Sequence, residues 1–417
     1  MAILLNYIVG LLLDKYKNNI RTSKAILILG VIINLLSLFV FKYTNFFIEN
    51  INRVFSLVGY NKLDLLKIVM PIGISYFTFQ AISYIVDVYK GKAKVQKNIL
   101  KFALYILFFP RLIAGPIIRY SDIEDQLDKR KITVDSIYLS LRRFIIGLGK
   151  KVIIANTLGG VADRIFAINQ QDLTFSVSWL GIICYTLQIY FDFSGYSDMA
   201  IGLARLFGFS FKENFDYPYI SKSITEFWRR WHISLSTWFK DYLYIPLGGN
   251  RVAKIRNYIN LLIVFICTGI WHGASWNFIF WGLFHGFFIV FEKITNMKIA
   301  RIKILNRIYT ILVVMVGWVF FRSNSFEYAL YYLKAMFGFG QGMSTVYYSD
   351  LYINNKIIFI IIIAVIGSNP NINNLLNRFD KLIKGRVLIN IYTVLILFIS
   401  IMLIITSTTQ SFIYFRF

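Results

Sequence analysis

The chain has 417 residues, of which 57% are hydrophobic and 16% charged, and its mean hydropathy is +0.60. These values exclude a water-soluble globular protein of this length and predict an integral membrane protein in a lipid bilayer. The formal net charge of +24 would suggest nucleic acid as the partner of a soluble domain. In a membrane protein the same excess follows from basic cytoplasmic loops, so we expect no nucleic-acid partner.

The N-terminal part alternates apolar stretches with basic loops. Ala2 to Leu13 is short against the about 20 residues that span a bilayer, and it lacks the pattern of a signal peptide. Ala25 to Phe41 is predicted to cross, and residues 45–59 to form an amphipathic surface helix. Ile68 to Val88 is predicted to cross back. The lysine-rich segments before and after these crossings indicate cytoplasmic loops.

Parity from the C-terminal side places His272 at an extracytoplasmic turn. Five further spans are predicted there: Ile259 to Ile270, Trp276 to Val290, Tyr309 to Phe321, Ile357 to Ile366 and Val387 to Ile405. Between Lys101 and Arg251 the crossings must be even in number, yet four apolar segments are present: 102–118, 135–157, 176–191 and 226–245. Some of them must therefore be re-entrant, and irregular backbone at membrane depth implies a cavity.

Ionisable residues interrupt the segment 102–118 and the apolar stretch that continues from 176–191. Arg111 lies beside prolines in FFPRLIAGPIIRY, and Asp192, Asp198 and Arg205 lie in a long apolar stretch. Each such group costs about 2.5–3.5 kcal/mol on insertion scales, so these residues are candidates for a cavity lining. The alternative is that Asp198 or Asp192 pairs with Arg205 or Arg111 to hold helices together.

Residues 226–286 hold all three histidines of the chain and six of its eight tryptophans. Trp228, His232, Leu235 and Phe239 have the spacing of one helical stripe, which predicts a single helix with His232 on its aromatic side. By itself such a histidine is a hydrogen-bonded structural residue more often than a catalyst. Both roles stay open for His232 at this point.

His272 has a stronger claim to function. It lies between Trp271 and Gly273 at a predicted helix end, where a neutral imidazole can accept a proton near pH 7 and a glycine can let the backbone approach a substrate. His285 has the weakest claim of the three. The spacings between His232, His272 and His285 match no compact metal-ligand motif, so we predict no metal site.

The remaining motifs narrow the chemistry. Cys184 and Cys267 lie inside apolar runs, which gives no support to a disulfide. No phosphate-binding lysine loop or dinucleotide motif is present in the sequence, so ATP and NAD have no support. Proton abstraction from a hydroxyl, followed by attack on an activated acyl group, suits a buried histidine. The turn 248–251, GGNR, could contact the phosphate or pantetheine of a cytoplasmic donor, or could be simply a turn.

Several long motifs resemble the membrane-bound O-acyltransferase family, within it the branch that acetylates alginate, peptidoglycan and cellulose. They occur in order over most of residues 1–417: GISYFTFQAISYIVDVYKG, FFPRLIAGPIIR, QIYFDFSGYSDMAIGLARLFGF, FWRRWHISLSTWFKDYLYIPLGGNR, TGIWHGASWNFIFWGLFHG, GWVFFRSNSFEYALYYLKAMFG and FIYFRF. The segment LYIPLGGNR favours this branch over the one that transfers D-alanine, with which it shares the WHISLSTW block.

The resemblance implies an all-α polytopic membrane protein, a ring of transmembrane and re-entrant helices around a central cavity. Residues 1–417 would form one integral membrane domain that lacks the first N-terminal helices of the family. Catalytic roles would fall to His272, His232 and Tyr414, with no metal. As residues that bind substrate or line the cavity we predict Asp192, Ser197, Trp228, Arg230, Trp271, Asn277 and Arg111.

The implied activity is transfer of an acyl group, acetyl in the first place, from a cytoplasmic thioester across a bacterial plasma membrane. No cofactor would stay bound, and acetyl-CoA would be the donor substrate. The acceptor would be a hydroxyl of an extracytoplasmic polysaccharide or a partner acetyltransferase outside the cell. Two alternatives stay open: a D-alanyl transferase served by a carrier protein, and a transporter of a polysaccharide precursor.

Overall fold

The computed structural model describes residues 2–112, 115–295, 302–340, 347–380 and 382–406. This part of the chain is helical and contains no strand, which confirms the all-α prediction. The α-helices are α1 Ala2–Lys15, α2 Ile20–Lys42, α3 Thr44–Val58, α4 Ile74–Tyr89, α5 Ile99–Leu107, α6 Tyr120–Ile123, α7 Val134–Gly149, α8 Asn156–Phe166, α9 Phe175–Leu206, α10 Ile224–Arg230, α11 Ile233–Phe239, α12 Lys254–His272, α13 Trp276–Ile294, α14 Lys303–Arg322, α15 Phe326–Met336, α16 Asn355–Gly367, α17 Pro370–Asp380 and α18 Ile383–Thr406.

Six helical stretches of the described chain are long and apolar enough to cross a membrane, as a polytopic protein requires. They are Ile20–Lys42, Val134–Phe166, Lys254–His272, Trp276–Ile294, Lys303–Arg322 and Gly385–Thr406. The second of these is continuous from α7 to α8 through a π-helical segment, Lys150–Ala155. It packs against the 32-residue helix α9, so the middle of the chain contributes two long antiparallel helices beside shorter, non-spanning segments.

Two predicted spans are wrong in their extent. The predicted crossing from Ile68 to Val88 is α4, which begins only at Ile74, after Pro71 and Gly73, and with 16 residues is not among the six candidate spans. Gly73 has φ +74°, and a Cβ there would lie 2.2 Å from the carbonyl oxygen of Leu112, so the position accepts no larger residue. The predicted crossing from Ile357 to Ile366 is α16, whose 13 residues are too few to span.

Asp198 on α9 forms ion pairs, as one sequence hypothesis required, but not with the expected arginines. Its Oδ1 lies 2.8 Å from Arg143 Nη2 and its Oδ2 lies 2.7 Å from Lys150 Nζ. Both partners come from the neighbouring stretch α7 and its π-helical continuation, so the expected pairing with Arg205 or Arg111 is wrong. The ion pairs therefore join the two long helices to each other, which is a structural role.

The helices α12 and α13 form a tight hairpin, and two glycines permit it. A Cβ on Gly269 would lie 2.2 Å from the carbonyl oxygen of Phe278, and a Cβ on Gly282 would lie 2.2 Å from that of Phe265. Because neither contact can be relieved by turning a side chain, the backbones approach this closely only with glycine at both positions. The hairpin carries His272 at the end of α12 and His285 on α13.

We expect Gly282→Ala to destabilise the protein by about 1–3 kcal/mol, the usual cost of overpacking a close contact. The matched control is Gly160→Ala on α8, where no atom lies within 4 Å of the added Cβ. The measurement is the thermal unfolding midpoint of the two variants in detergent. Equal midpoints for Gly282→Ala and the control would contradict the close crossing of α12 and α13.

Candidate functional site

His232 lies at a break between two short helices. α10 ends at Arg230, α11 begins at Ile233, and His232 has φ 44°, in the left-handed region. The predicted single helix that carries Trp228 and His232 on one stripe is therefore wrong. A non-glycine residue in this conformation is strained, and it persists where the surrounding contacts hold it in place.

The contact that holds His232 is the side chain of Asn214, which sequence reasoning missed. Asn214 Oδ1 accepts from Ser234 N at 3.1 Å and from Ser234 Oγ at 2.8 Å, and it lies 3.2 Å from His232 Nδ1. Asn214 Nδ2 donates to Ser197 Oγ at 3.2 Å, which connects the predicted residue Ser197 to the site. Asn214 lies in a loop of mixed aromatic and polar residues without a recognisable motif, so no sequence pattern singles it out.

These bonds determine the tautomer of His232. A backbone N–H can only donate, so the Asn214 atom that meets Ser234 N is the oxygen, and Nδ1 of His232 must donate to it. His232 lies outside the six candidate spans, and burial lowers its pKa to about 3, so the ring is neutral. Its lone pair is then on Nε2, which is buried without a hydrogen-bond partner among the described residues.

His272 is the last residue of α12, and aromatic rings surround its imidazole. The ring centroids of Trp271, Trp281 and Phe321 lie 5.0, 5.1 and 5.2 Å from that of His272. Its carbonyl oxygen accepts from Lys42 Nζ at 3.0 Å. The helix end and the rings together fix the imidazole in one place with 7% of the residue exposed.

Gly273 has a packing role that the sequence did not predict. We predicted that it lets the backbone approach a substrate. In the structure its backbone is extended, and a Cβ at this position would lie 2.2 Å from ring atoms of Phe278. The glycine therefore makes room for a phenylalanine that packs beside the site.

The three histidines are linked through tryptophan rings. Trp271 lies between His232 and His272, and its ring centroid is 6.2 Å from that of His232 and 5.0 Å from that of His272. Trp281 lies between His272 and His285, at 5.1 Å from each. His285 is fully buried, and neither of its ring nitrogens has a hydrogen-bond partner within the described part of the chain. The structure thus gathers the histidines of residues 226–286 into one aromatic cluster.

A cavity of about 1260 Å³ reaches toward this cluster and is called the basic cavity below. The buried residue Trp228 lines the cavity, and its ring centroid lies 5.1 Å from that of His285. One face of α12 forms its wall, with Leu261, Val264, Phe265 and Thr268. Thr268 precedes His272 by four residues, or about one helical turn, so the cavity ends about 6 Å along the helix from the candidate catalytic residue.

The exposed part of the lining of the basic cavity, called its mouth below, is positively charged. Four cationic side chains line the cavity: Arg229, Lys240, Arg251 and Lys293. The acidic residue in the lining is Glu292, whose carboxylate already accepts from Thr225 N at 2.9 Å and Thr225 Oγ1 at 2.7 Å. The cationic excess therefore remains available to an anionic ligand.

The turn 248–251 forms part of this mouth. Asn257 Nδ2 donates to the carbonyl oxygen of Gly249 at 2.6 Å, and Asn260 Nδ2 donates to that of Leu247 at 3.1 Å. Two side chains of α12 thus hold the turn from behind. Asn250 and Arg251 are exposed and line the cavity, which supports the phosphate-contact interpretation of GGNR over that of a simple turn.

Three other predicted residues are engaged in structural contacts. Asp192 is buried and forms an ion pair with Lys151 at 2.5 Å. Arg230 Nη1 lies 2.7 Å from Asp216 Oδ2, close to the end of α10. Asn277 Nδ2 donates at 2.7 Å to the carbonyl oxygen of the residue that follows α14. Their contacts join helices and loops rather than the histidine cluster.

Arg111 is fully buried, with its guanidinium 4.9 Å from the ring centroid of Tyr105 and no hydrogen-bond partner for its side-chain nitrogens among the described residues. Tyr414, the predicted catalytic tyrosine, lies outside the described residues. In the described part of the chain, no three metal-ligating side chains form a group that could hold a metal ion.

Comparison with known proteins agrees with this arrangement. The profile of the membrane-bound O-acyltransferase family matches residues 93–333, more than half of the chain. The probable alginate O-acetylase AlgI of Pseudomonas aeruginosa is 46% identical over 80% of this chain and 64% of its own length. The peptidoglycan O-acetyltransferase of Helicobacter pylori is 39% identical over 81% of this chain and 69% of its own length. The teichoic acid D-alanyltransferase of Bacillus subtilis is 32% identical over 60% of this chain and 66% of its own length.

The chain spans about two thirds of the length of these curated relatives, and 64% of the first of them. The matched region includes α5 to α14 with the histidine cluster and the basic cavity. The chain has six candidate spans and a histidine at the end of α12, and the family profile matches more than half of its length. It therefore belongs to the membrane-bound O-acyltransferase family.

Proposed function

We propose that the protein transfers an acetyl group from cytoplasmic acetyl-CoA to a hydroxyl of an extracytoplasmic polysaccharide, directly or through a partner acetyltransferase, in the bacterial plasma membrane. The observation that carries the proposal is the basic cavity, which extends along α12 from its cationic mouth to Thr268, one helical turn before His272. Relatives named for O-acetylation of alginate and of peptidoglycan support acetyl as the acyl group.

The lining of the basic cavity suits a coenzyme A thioester. Arg251, Lys240 and Arg229 offer charge to the phosphates of such a donor. The apolar wall of α12, with Val264 and Phe265, suits the pantetheine arm and acetyl group. A donor bound in this way carries its thioester toward Trp228 and Thr268.

His272 then acts as general base. Its neutral imidazole takes the proton of the acceptor hydroxyl while the hydroxyl oxygen attacks the thioester carbonyl carbon. The tetrahedral intermediate collapses with cleavage of the carbon–sulfur bond, and the imidazolium returns the proton to the departing thiolate of coenzyme A. His232 lies on the other side of Trp271, and the bond to Asn214 leaves its lone pair on Nε2, which we propose as a second proton acceptor.

His272→Ala is expected to lower the rate of acetyl transfer by at least about 100-fold, since general-base catalysis contributes about 10²–10⁴ in rate. The measurement is transfer of radiolabelled acetyl from acetyl-CoA to the purified full-length protein in detergent. If the acetyl group passes through the hydroxyl of Tyr414, Tyr414→Phe will also abolish the label. Each variant is compared with the wild type by gel filtration, so that loss of label is not confused with loss of fold.

Label retained by the His272→Ala variant would refute the role of that residue. A label lost in His272→Ala but kept in Tyr414→Phe would support the base and exclude the tyrosine as the acyl carrier. Absence of label in every protein is the result expected of direct transfer when no acceptor is present, so the assay is then repeated with the polysaccharide acceptor added. Acetyl-CoA that stays intact with the acceptor present would favour a carrier-protein donor, as in the D-alanyl alternative. Membership of an acyltransferase family speaks against the transporter alternative.

Arg251→Ala is expected to raise the KM for acetyl-CoA several-fold with little change in kcat, because it removes one charge from the cavity mouth. The matched control is Arg256→Ala, which removes another exposed arginine that does not line the cavity. Acetyl-pantetheine lacks the nucleotide phosphates, so its KM is expected to be the same for both variants. An equal effect of Arg251→Ala on both donors would contradict the phosphate contact.

Asn214→Ala is expected to lower kcat by about tenfold or more at unchanged KM for acetyl-CoA, because His232 loses the acceptor that fixes its tautomer. Ser197→Ala is the control, since it removes only the second bond of Asn214. Asn214 is a positioning residue, so the pH profile of kcat should shift in Asn214→Ala and not in Ser197→Ala. Two identical profiles would assign Asn214 and His232 a structural role.

A further inference from the structure

A second cavity, of about 590 Å³, lies on the other side of α12 and α11 and is called the apolar cavity below. Its walls come from α2, α3, α4, α12 and the segment 238–243. No charged side chain is among the described residues that line it. Phe239 and Trp271 belong to this lining, and Phe239 also lines the basic cavity. Apart from the shared wall, nothing in the proposed acetyl transfer uses this space.

The apolar cavity opens sideways, between two candidate spans, onto the surface that the bilayer covers. Leu35 and Phe39 of α2 are 47% and 40% exposed, and Ile270 of α12 is 37% exposed. Phe79 and Ile82 of α4, which form the deep wall, are 4% and 5% exposed. A side chain exposed on the flank of a span faces hydrocarbon, so the cavity is continuous with the lipid phase.

Polar groups are concentrated at one end of this cavity. Tyr43 Oη donates to the carbonyl oxygen of Ile270 at 2.8 Å, and Lys42 Nζ donates to that of Trp271 at 2.6 Å. These bonds tie the end of α2 to the end of α12. The helix α3 follows immediately, buries none of its residues fully and has the amphipathic pattern of a helix at the membrane–water interface. This end therefore lies near the lipid headgroups.

We propose that the apolar cavity binds one acyl chain of a bilayer phospholipid, with its headgroup beside α3 and its tail against Phe79 and Trp271. An apolar space left empty forfeits the dispersion contacts of all the side chains that line it. The hydrocarbon chains of the bilayer are the apolar ligand that is always present at its opening. The polar end and the apolar walls match the two parts of a phospholipid in their order across the membrane.

The bound acyl chain would pack against Trp271, at the edge of the aromatic cluster that holds the histidines. Trp271 stacks on Phe79 at 5.4 Å, and its ring lies 5.0 Å from the imidazole of His272. A lipid tail in the cavity is thus separated from the candidate catalytic residue by one indole ring. The lipid is a structural ligand in this proposal and undergoes no reaction.

The test uses the full chain in nanodiscs that contain a phosphatidylglycerol with a photoreactive diazirine near the end of one acyl tail. After irradiation, peptides that carry the lipid are identified by mass spectrometry. We expect adducts concentrated on segments that line the cavity, including those with Phe79 and Cys267. Leu35→Trp, which fills the opening, should lower these adducts several-fold.

The matched control is Leu36→Trp, the same substitution on the adjacent residue of α2, which is 54% exposed but does not line the cavity. Leu36→Trp should leave the adducts on the cavity walls unchanged. Adducts spread evenly over all lipid-facing helices, or an equal pattern in both variants, would overturn the proposal. Because the readout is cross-linking, it does not depend on whether the protein transfers acetyl groups.

Discussion

The arrangement around His272 depends on one constraint of protein interiors, which is that a helix whose end is buried must satisfy its last carbonyl groups without water. Lys42 and Tyr43, at the end of α2, satisfy these groups by donating to the carbonyl oxygens of Ile270, Trp271 and His272. The same bonds fix the place of the imidazole and close one end of the apolar cavity. The last turn of α12 is thus rigid for a reason that lies in another helix.

Close packing of α12 against α13 provides the second support of the site. Gly269 and Gly282 let the two backbones meet, and the aromatic side chains that flank the contact form the cluster around the histidines. Each imidazole is held by edge contacts with indole or phenyl rings. His232 is additionally held by Asn214, which also selects its tautomer. Such an apolar surrounding is what the proposed acyl transfer would need, since transfer to a hydroxyl rather than to water requires a site with little water.

The two cavities lie on different sides of the same structural wall. Phe239 contributes to both, and Trp271 separates the apolar cavity from His272. The basic cavity offers cations to a charged donor, whereas the apolar cavity offers hydrocarbon surface to a lipid. In the two proposals made above, this division would let a coenzyme A thioester approach the histidine cluster without displacing the lipid.

The sequence by itself determined the membrane class, most of the helices, the family and the importance of residues 226–286, because hydropathy, basic loops and contiguous motifs are local properties of the chain. Contacts between distant residues were decided only by the tertiary structure. Asn214 beside His232, Lys42 on the end of α12 and Lys150 beside Asp198 are separated by long stretches of chain, and no local pattern records such pairs. The break at His232 was missed for the same reason, since helical periodicity continues through it and the bonds to Asn214 override local preference. Cavities also depend on which helices pack together, so the basic lining around GGNR could be suspected from its residues but its course toward His272 required the fold.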